Sequence, residues 1–157
     1  MMKLTHRLAG FPGVLISTAL FLVSAGASSA LASEAKFEAQ LIWATNDKKV
    51  DDPKLRPVET EIKAKLNELP LKWQNYFEVK RGQLAVAANG TNSITLSEKC
   101  RVELKRLSDR KVEVTLHGQN SNVCYKRTQP LPKGEILVLG GNAPNASAWL
   151  VTLKRVE

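Results

Sequence analysis

Phe37, Ala39, Leu41 and Trp43 alternate with Glu38, Gln40, Ile42 and Ala44. Successive side chains leave opposite sides of an extended backbone, so this alternation predicts a strand with one mainly apolar face. A polar connection, Asn46 to Pro53, follows, and the period then changes. Leu55, Val58, Ile62, Leu66 and Leu69 recur three or four apart, which predicts an amphipathic helix with Glu59, Lys63, Lys65 and Glu68 facing water. Pro57 suits its first turn, Glu59 and Glu61 suit the positive end of its dipole, and Pro70 closes it. A helix with one apolar stripe should lie on a sheet.

Downstream the pattern is strand-like again. Phe77 and Val79 are apolar at odd positions, Leu84 and Val86 at even ones, and this phase change predicts a bulge or tight turn at Arg81-Gly82. Asn89-Gly90 is the strongest hairpin signal, since both residues tolerate positive φ. Ile94 and Leu96, then Cys100, Val102 and Leu104, then Val112, Val114 and Leu116, then Val123 and Tyr125 mark further short strands. Turns are expected at Ser108–Arg110 and Gly118–Ser121. Ile136 to Leu139 is a continuous apolar run ended by Gly140-Gly141, and Trp149, Val151 and Leu153 form a closing strand. The fold class is therefore α+β: a mainly antiparallel, sandwich- or barrel-like assembly of about seven or eight short strands with one amphipathic helix.

The first 32 residues carry a different signal. Lys3, His6 and Arg7 precede an uncharged stretch from Gly13 to Gly26, and Ala30-Leu31-Ala32 has the small-x-small form that a signal peptidase accepts. The apolar stretch is shorter than the about 20 residues a spanning helix needs. Residues 1–32 are read as a cleaved signal peptide and residues 33–157 as one β-rich domain, periplasmic or secreted, with no transmembrane segment after cleavage. Loss of Lys3 and Arg7 lowers the net charge from +8 to +6. This modest excess is spread along the chain, and no basic run is interleaved with aromatics, so nucleic acid is not an expected partner.

Few residues suggest chemistry. His117 is the one histidine of the mature part, beside a turn glycine. Without a partner it reads as a surface residue, whereas Glu103 or Asp109 within reach of it at a pocket would point to an enzyme. The chain lacks a Gly-x-Ser-x-Gly elbow, a Cys-x-x-Cys pair and a phosphate-binding glycine loop. Asp47, Asp51 and Asp52 miss the alternation of a calcium loop, and Lys48 and Lys49 interrupt them. Glu103 and Glu113 alternate with apolar residues beside Lys105 and Lys111, as an outward charged ladder would. Asn89-Gly90-Thr91 and Asn145-Ala146-Ser147 match the glycosylation pattern of a eukaryotic secretory route. No catalytic residue, metal site or cofactor is expected.

Cys100 and Cys124 suggest one disulfide if the chain is exported. Register argues the other way. If Val102, Leu104, Val112, Val114, Leu116, Val123 and Tyr125 share a face, Cys100 points inward and Cys124 outward, two strands apart. That is at least ~9–10 Å, against a limit of about 7 Å between bonded Cα atoms. Either the bond is absent or the third strand leaves the meander.

Phe37–Asn46 (FEAQLIWATN), Leu131–Gly141 (LPKGEILVLGG) and Ala148–Leu153 (AWLVTL) resemble segments of a family of small exported bacterial β-rich proteins without an assigned function. The resemblance spans most of the mature chain and brings no catalytic residues with it. Lys133–Gly141 followed by an apolar strand also resembles the hairpin that ends outer-membrane secretin domains, although a secretin's lipid-facing strands and ring-forming domains are missing. These likenesses imply an envelope-associated role. The expectation is a non-enzymatic binding or assembly module whose partner is another envelope protein, met at a sheet edge or loop end. Trp43, Trp73, Tyr76 and Trp149 are the candidate contact residues, because aromatics are enriched in binding hot spots. The alternative is a binder of anionic envelope polymers through Lys80, Arg81, Lys105, Arg106, Lys126 and Arg127.

Overall fold

A computed structural model describes residues 33–48, 50–142 and 146–157. The expected signal peptide and Asn145 of the second glycosylation pattern lie outside the described residues. The chain runs β1 (Ala35–Thr45), β2 (Arg56–Pro57), α1 (Thr60–Asn67), β3 (Asn75–Val86), β4 (Thr91–Ser97), β5 (Cys100–Arg106), β6 (Lys111–His117), β7 (Val123–Pro130), β8 (Ile136–Asn142) and β9 (Ala148–Arg155). A five-stranded sheet has the order β2-β3-β1-β9-β8 and a four-stranded sheet the order β4-β5-β6-β7, with antiparallel pairing throughout. The fold is mainly antiparallel β with a single helix among the described residues, as the alternation of apolar positions predicts.

The inner faces of the two sheets make the main core. Phe37, Ala39, Leu84, Val86, Leu139 and Leu153 of the first sheet meet Leu96, Val102, Leu104, Val112 and Val114 of the second. Fully burying one such aliphatic side chain is worth about 1.5–3 kcal/mol, so this layer dominates the stability. The outer face of the five-stranded sheet carries a second cluster. There Ile42, Ala44, Tyr76 and Leu150 lie under Ile62 and Leu66 of α1 and under Val58 and Trp73. Strand β1 serves both layers, its odd residues 35 to 41 facing the sandwich and Ile42 and Ala44 facing the helix.

Three local expectations are corrected. The helix begins at Thr60, not at Pro57. Arg56-Pro57 instead forms a short strand on β3, Arg56 opposite Glu78, and its proline blunts that sheet edge. The phase change in β3 is real, but the slip falls at Val79, where Leu41 pairs with Lys80 and Ile42 with Glu78. Gly82 serves the packing between sheets, because a Cβ there would run into the Ile94 side chain of the opposite sheet. Asn89-Gly90 does not close a hairpin, because β3 and β4 belong to different sheets. Gly90 N–H donates to the Ala87 carbonyl at 2.9 Å, and Asn89 takes the left-handed conformation at φ 57°. The turn is a corner that carries the chain from one sheet to the other.

Candidate functional site: an apolar cleft beside a free sheet edge

At one end the two sheets part and leave a cleft of about 710 Å³. Leu41, Leu139, Trp149 and Val151 of the five-stranded sheet form one wall, with Val79 at the slip in β3. Cys100, Leu116, Cys124 and Tyr125 of the other sheet, with Gly118 just after β6, form the facing wall, and the β4–β5 turn, Ser97 to Lys99, lies beside them. The lining is mainly apolar, and the volume falls in the ~300–1,000 Å³ range of ligand clefts. Of the described large apolar side chains that are exposed, Val79 at 37% and Trp149 at 48% line the cleft, and Val123 at 59% stands next to Cys124 at its rim.

The cleft opens beside β8, the last strand of its sheet. The seven residues Ile136–Asn142 carry no charge. An edge strand presents unpaired backbone groups, and natural edges are usually guarded by charge, proline or a bulge. The other edges have such guards: β2 has Arg56 and Pro57, β7 has Lys126, Arg127 and Pro130, and polar β4 has a register slip between Thr95 and Ser97. Strand β8 has none of these. Its Gly141 pairs with Trp149, and Trp149 lies opposite Trp43, which in turn pairs with Phe77. A Cβ built on Gly141 would meet only open space, and Trp149 itself is half exposed.

The four aromatic candidates therefore have different roles. Trp73 is 9% and Tyr76 5% exposed, and both are packing residues of the helix-side cluster. Trp73 Nε1–H donates to the Ala146 carbonyl at 2.8 Å, and the Tyr76 hydroxyl donates to the Trp73 carbonyl at 2.8 Å. Burial pushes the Tyr76 phenol up from its ordinary value. Trp43 is half-buried and stacks obliquely on Phe77, with ring centroids 6.1 Å apart. Trp149 alone of the four lines the cleft.

Three of the basic-face candidates are occupied by carboxylates. Arg81 holds Glu78 and Glu59, each at 2.6 Å, with Glu38 at 3.6 Å. Arg106 is 3% exposed, and its guanidinium reaches Asp109 at 2.5 Å and also the Ser33 carbonyl. Lys126 pairs with Glu113 at 3.2 Å. The charged ladder is present, since Lys105 lies opposite Glu113.

His117 borders the cleft, yet alternation from Leu116 puts its ring on the outer face of the second sheet with Glu103 and Thr115. Its Nδ1 lies 3.3 Å from the Ser121 carbonyl, and its Nε2 lies 3.8 Å from Glu103, beyond hydrogen-bond length. Asp109 is in the turn at the opposite end of β5 and β6 and is bound to Arg106.

The cysteine register differs from expectation. Leu116 pairs with Tyr125 but His117 with Val123, so Cys124 is an extra residue in a bulge. A bulged residue leaves the alternation of its strand, which is why Cys124 lines the same cleft as Cys100 and does not lie on the opposite face. Neither cysteine is bonded in the structure. Among the described residues no group of three or more His, Cys, Asp or Glu could hold a metal ion, and no helix is long and apolar enough to cross a membrane. No protein-family model, curated protein or solved structure matches this chain.

Proposed function

We propose that this chain is an exported, non-enzymatic binding module of the cell envelope that takes an extended segment of another envelope protein along β8. The observation that carries this reading is the juxtaposition of an unguarded, uncharged strand edge with an apolar cleft and the exposed ring of Trp149. A segment added to β8 would satisfy that edge's backbone groups, and its alternate side chains would project toward the cleft, the usual division between affinity and specificity in strand addition. The signal-like residues 1–32 supply the exported setting. The polyanion reading keeps Lys80, Lys105 and Arg127, but the carboxylates on Arg81, Arg106 and Lys126 weaken any basic face.

The test is a panel of heptapeptides with large apolar residues at alternate positions, titrated while amide shifts and tryptophan fluorescence are followed. Binding should perturb Leu139 to Gly141 and Trp149, survive about 0.5 M salt, and be lost when the peptide's central residue is proline. Trp149→Ala should weaken it by roughly ten-fold or more, as loss of an interface tryptophan commonly does. If no peptide binds at millimolar concentration while polyglutamate binds at low salt only, the polyanion reading takes its place.

A further inference from the structure

The two cysteines flank Gly118. The β5–β6 ladder ends with Arg101 opposite His117, so the next facing pair is Cys100 and Gly118. On the other flank, a Cβ built on Gly118 would lie 2.6 Å from Cys124 Sγ. The thiol of Cys124 therefore fills the space that any other residue at this position would need. Gly118 has φ −87°, ordinary for any residue, so it is the missing side chain that the arrangement uses. Both cysteines line the cleft, Cys100 partly buried and Cys124 exposed.

We propose that Cys100 and Cys124 form a reversible disulfide across Gly118 by exchange with a small-molecule disulfide such as oxidised glutathione. Exposed Cys124 reacts first: its thiolate attacks one glutathione sulfur, a mixed disulfide forms, and one glutathione thiolate leaves. Cys100 then gives up its proton to solvent and attacks Cys124 Sγ, forming the internal bond and releasing the second glutathione thiolate. The two protein thiols are oxidised, the glutathione disulfide is reduced to two thiols, and the two protons lost by the protein are taken up by the products. Burial, and to a lesser degree the neighbouring Cys124, pushes the Cys100 thiol up, consistent with its acting second.

Cysteines two regular strands apart would stand ~9–10 Å from each other, beyond the about 7 Å that a disulfide spans, so the bond uses the departure of Cys124 from the regular ladder together with movement at the start of β7. The local backbone suits that movement. Cys124 is the extra residue of a bulge, and the turn before it holds Asn120 and Ser121 at φ 57° and 59°. Closure narrows the cleft from the β7 side. The proposal is independent of what the cleft binds.

The test is equilibration of the purified protein with oxidised glutathione, acid quenching, alkylation and mass spectrometry. The wild type should become lighter by two hydrogens, resist alkylation at both cysteines and yield one peptide pair linking positions 100 and 124. Cys100→Ser should instead accumulate glutathione on Cys124, because nothing resolves the mixed disulfide. Gly118→Ala should raise the ratio of mixed to internal disulfide by roughly ten-fold by displacing Cys124. Free thiols, glutathione on both cysteines of the wild type, or bonds only between two copies would overturn the proposal. If Gly118→Ala does not fold, the comparison of wild type with Cys100→Ser decides alone.

Discussion

Two tryptophans with the same chemistry should respond differently to truncation, and the contrast tests the assignment of core and cleft. Trp73 is 9% exposed, packs within the helix-side cluster and donates its ring N–H to the Ala146 carbonyl at 2.8 Å. Trp73→Ala opens a cavity and leaves that carbonyl without its donor, so it should cost about 3–5 kcal/mol. At roughly 3–5 °C per kcal/mol for a domain of this size, the melting temperature should fall by about 10–20 °C. Trp149 is 48% exposed at the mouth of the cleft. A tryptophan buries ~150–250 Å² when fully enclosed; half of that at about 25 cal/mol per Å², less what an alanine still covers, leaves about 1–2 kcal/mol. Its truncation opens onto solvent and adds no cavity cost. Urea unfolding followed by circular dichroism measures both, since it does not rely on the fluorophore removed. Equal losses from the two substitutions would show that Trp149 is a core residue and the cleft is closed, and the proposed binding face would fall with it.

Other consequences are more local. Leu66 is fully buried between α1 and the five-stranded sheet, so Leu66→Ala should cost about 2–5 kcal/mol in the same assay, whereas the half-exposed i,i+3 pair Lys65–Glu68 should be worth well under 1 kcal/mol. Tyr76→Phe removes the hydroxyl's bond to the Trp73 carbonyl and should cost about 1 kcal/mol at neutral pH. Because burial raises the phenol in the folded state, wild-type stability is intact below the ordinary tyrosine value and falls as the pH climbs through it toward the raised one. The gap between wild type and Tyr76→Phe should therefore shrink in alkaline unfolding titrations; a constant gap would refute the sign. Arg106→Met should destabilise less than Arg106→Ala, because the 3%-exposed stem packs whether or not its charge is kept, and thermal melts of the pair check this.

Most of the architecture is readable from residue periodicity. Phe37 to Trp43 alternate because β1 has a different layer on each face, and Ile62 and Leu66 fall four apart because α1 buries one stripe. The register of β5 on β6, with Leu104 opposite Val114, follows from the short loop between them and a shared apolar face. The slip in β3 is visible as a change of phase, but locating it at Val79 takes the pairing with β1. Pro57 misleads for a physical reason: its fixed φ and missing N–H suit an edge strand as well as a first helical turn.

The candidate site was legible only in pieces. The uncharged run ending in Gly140-Gly141 and the closing strand with Trp149 are plain in the sequence, while their position at the mouth of an open sandwich is not. Trp43, Trp73, Tyr76 and Trp149 look alike as letters, and only packing makes Trp73 and Tyr76 core and leaves Trp149 half exposed.

By itself the sequence determined the class of fold, the amphipathic helix α1 and the faces that strands bury, because these depend on local period and on the aversion of apolar side chains to water. The tertiary structure decided which sheet each strand joined, turned Asn89-Gly90 from a hairpin into a corner, and brought Cys100 and Cys124 to one cleft. Those outcomes depend on contacts between residues far apart in the chain and on a one-residue bulge, and a single extra residue reverses which face a side chain meets without leaving a local mark.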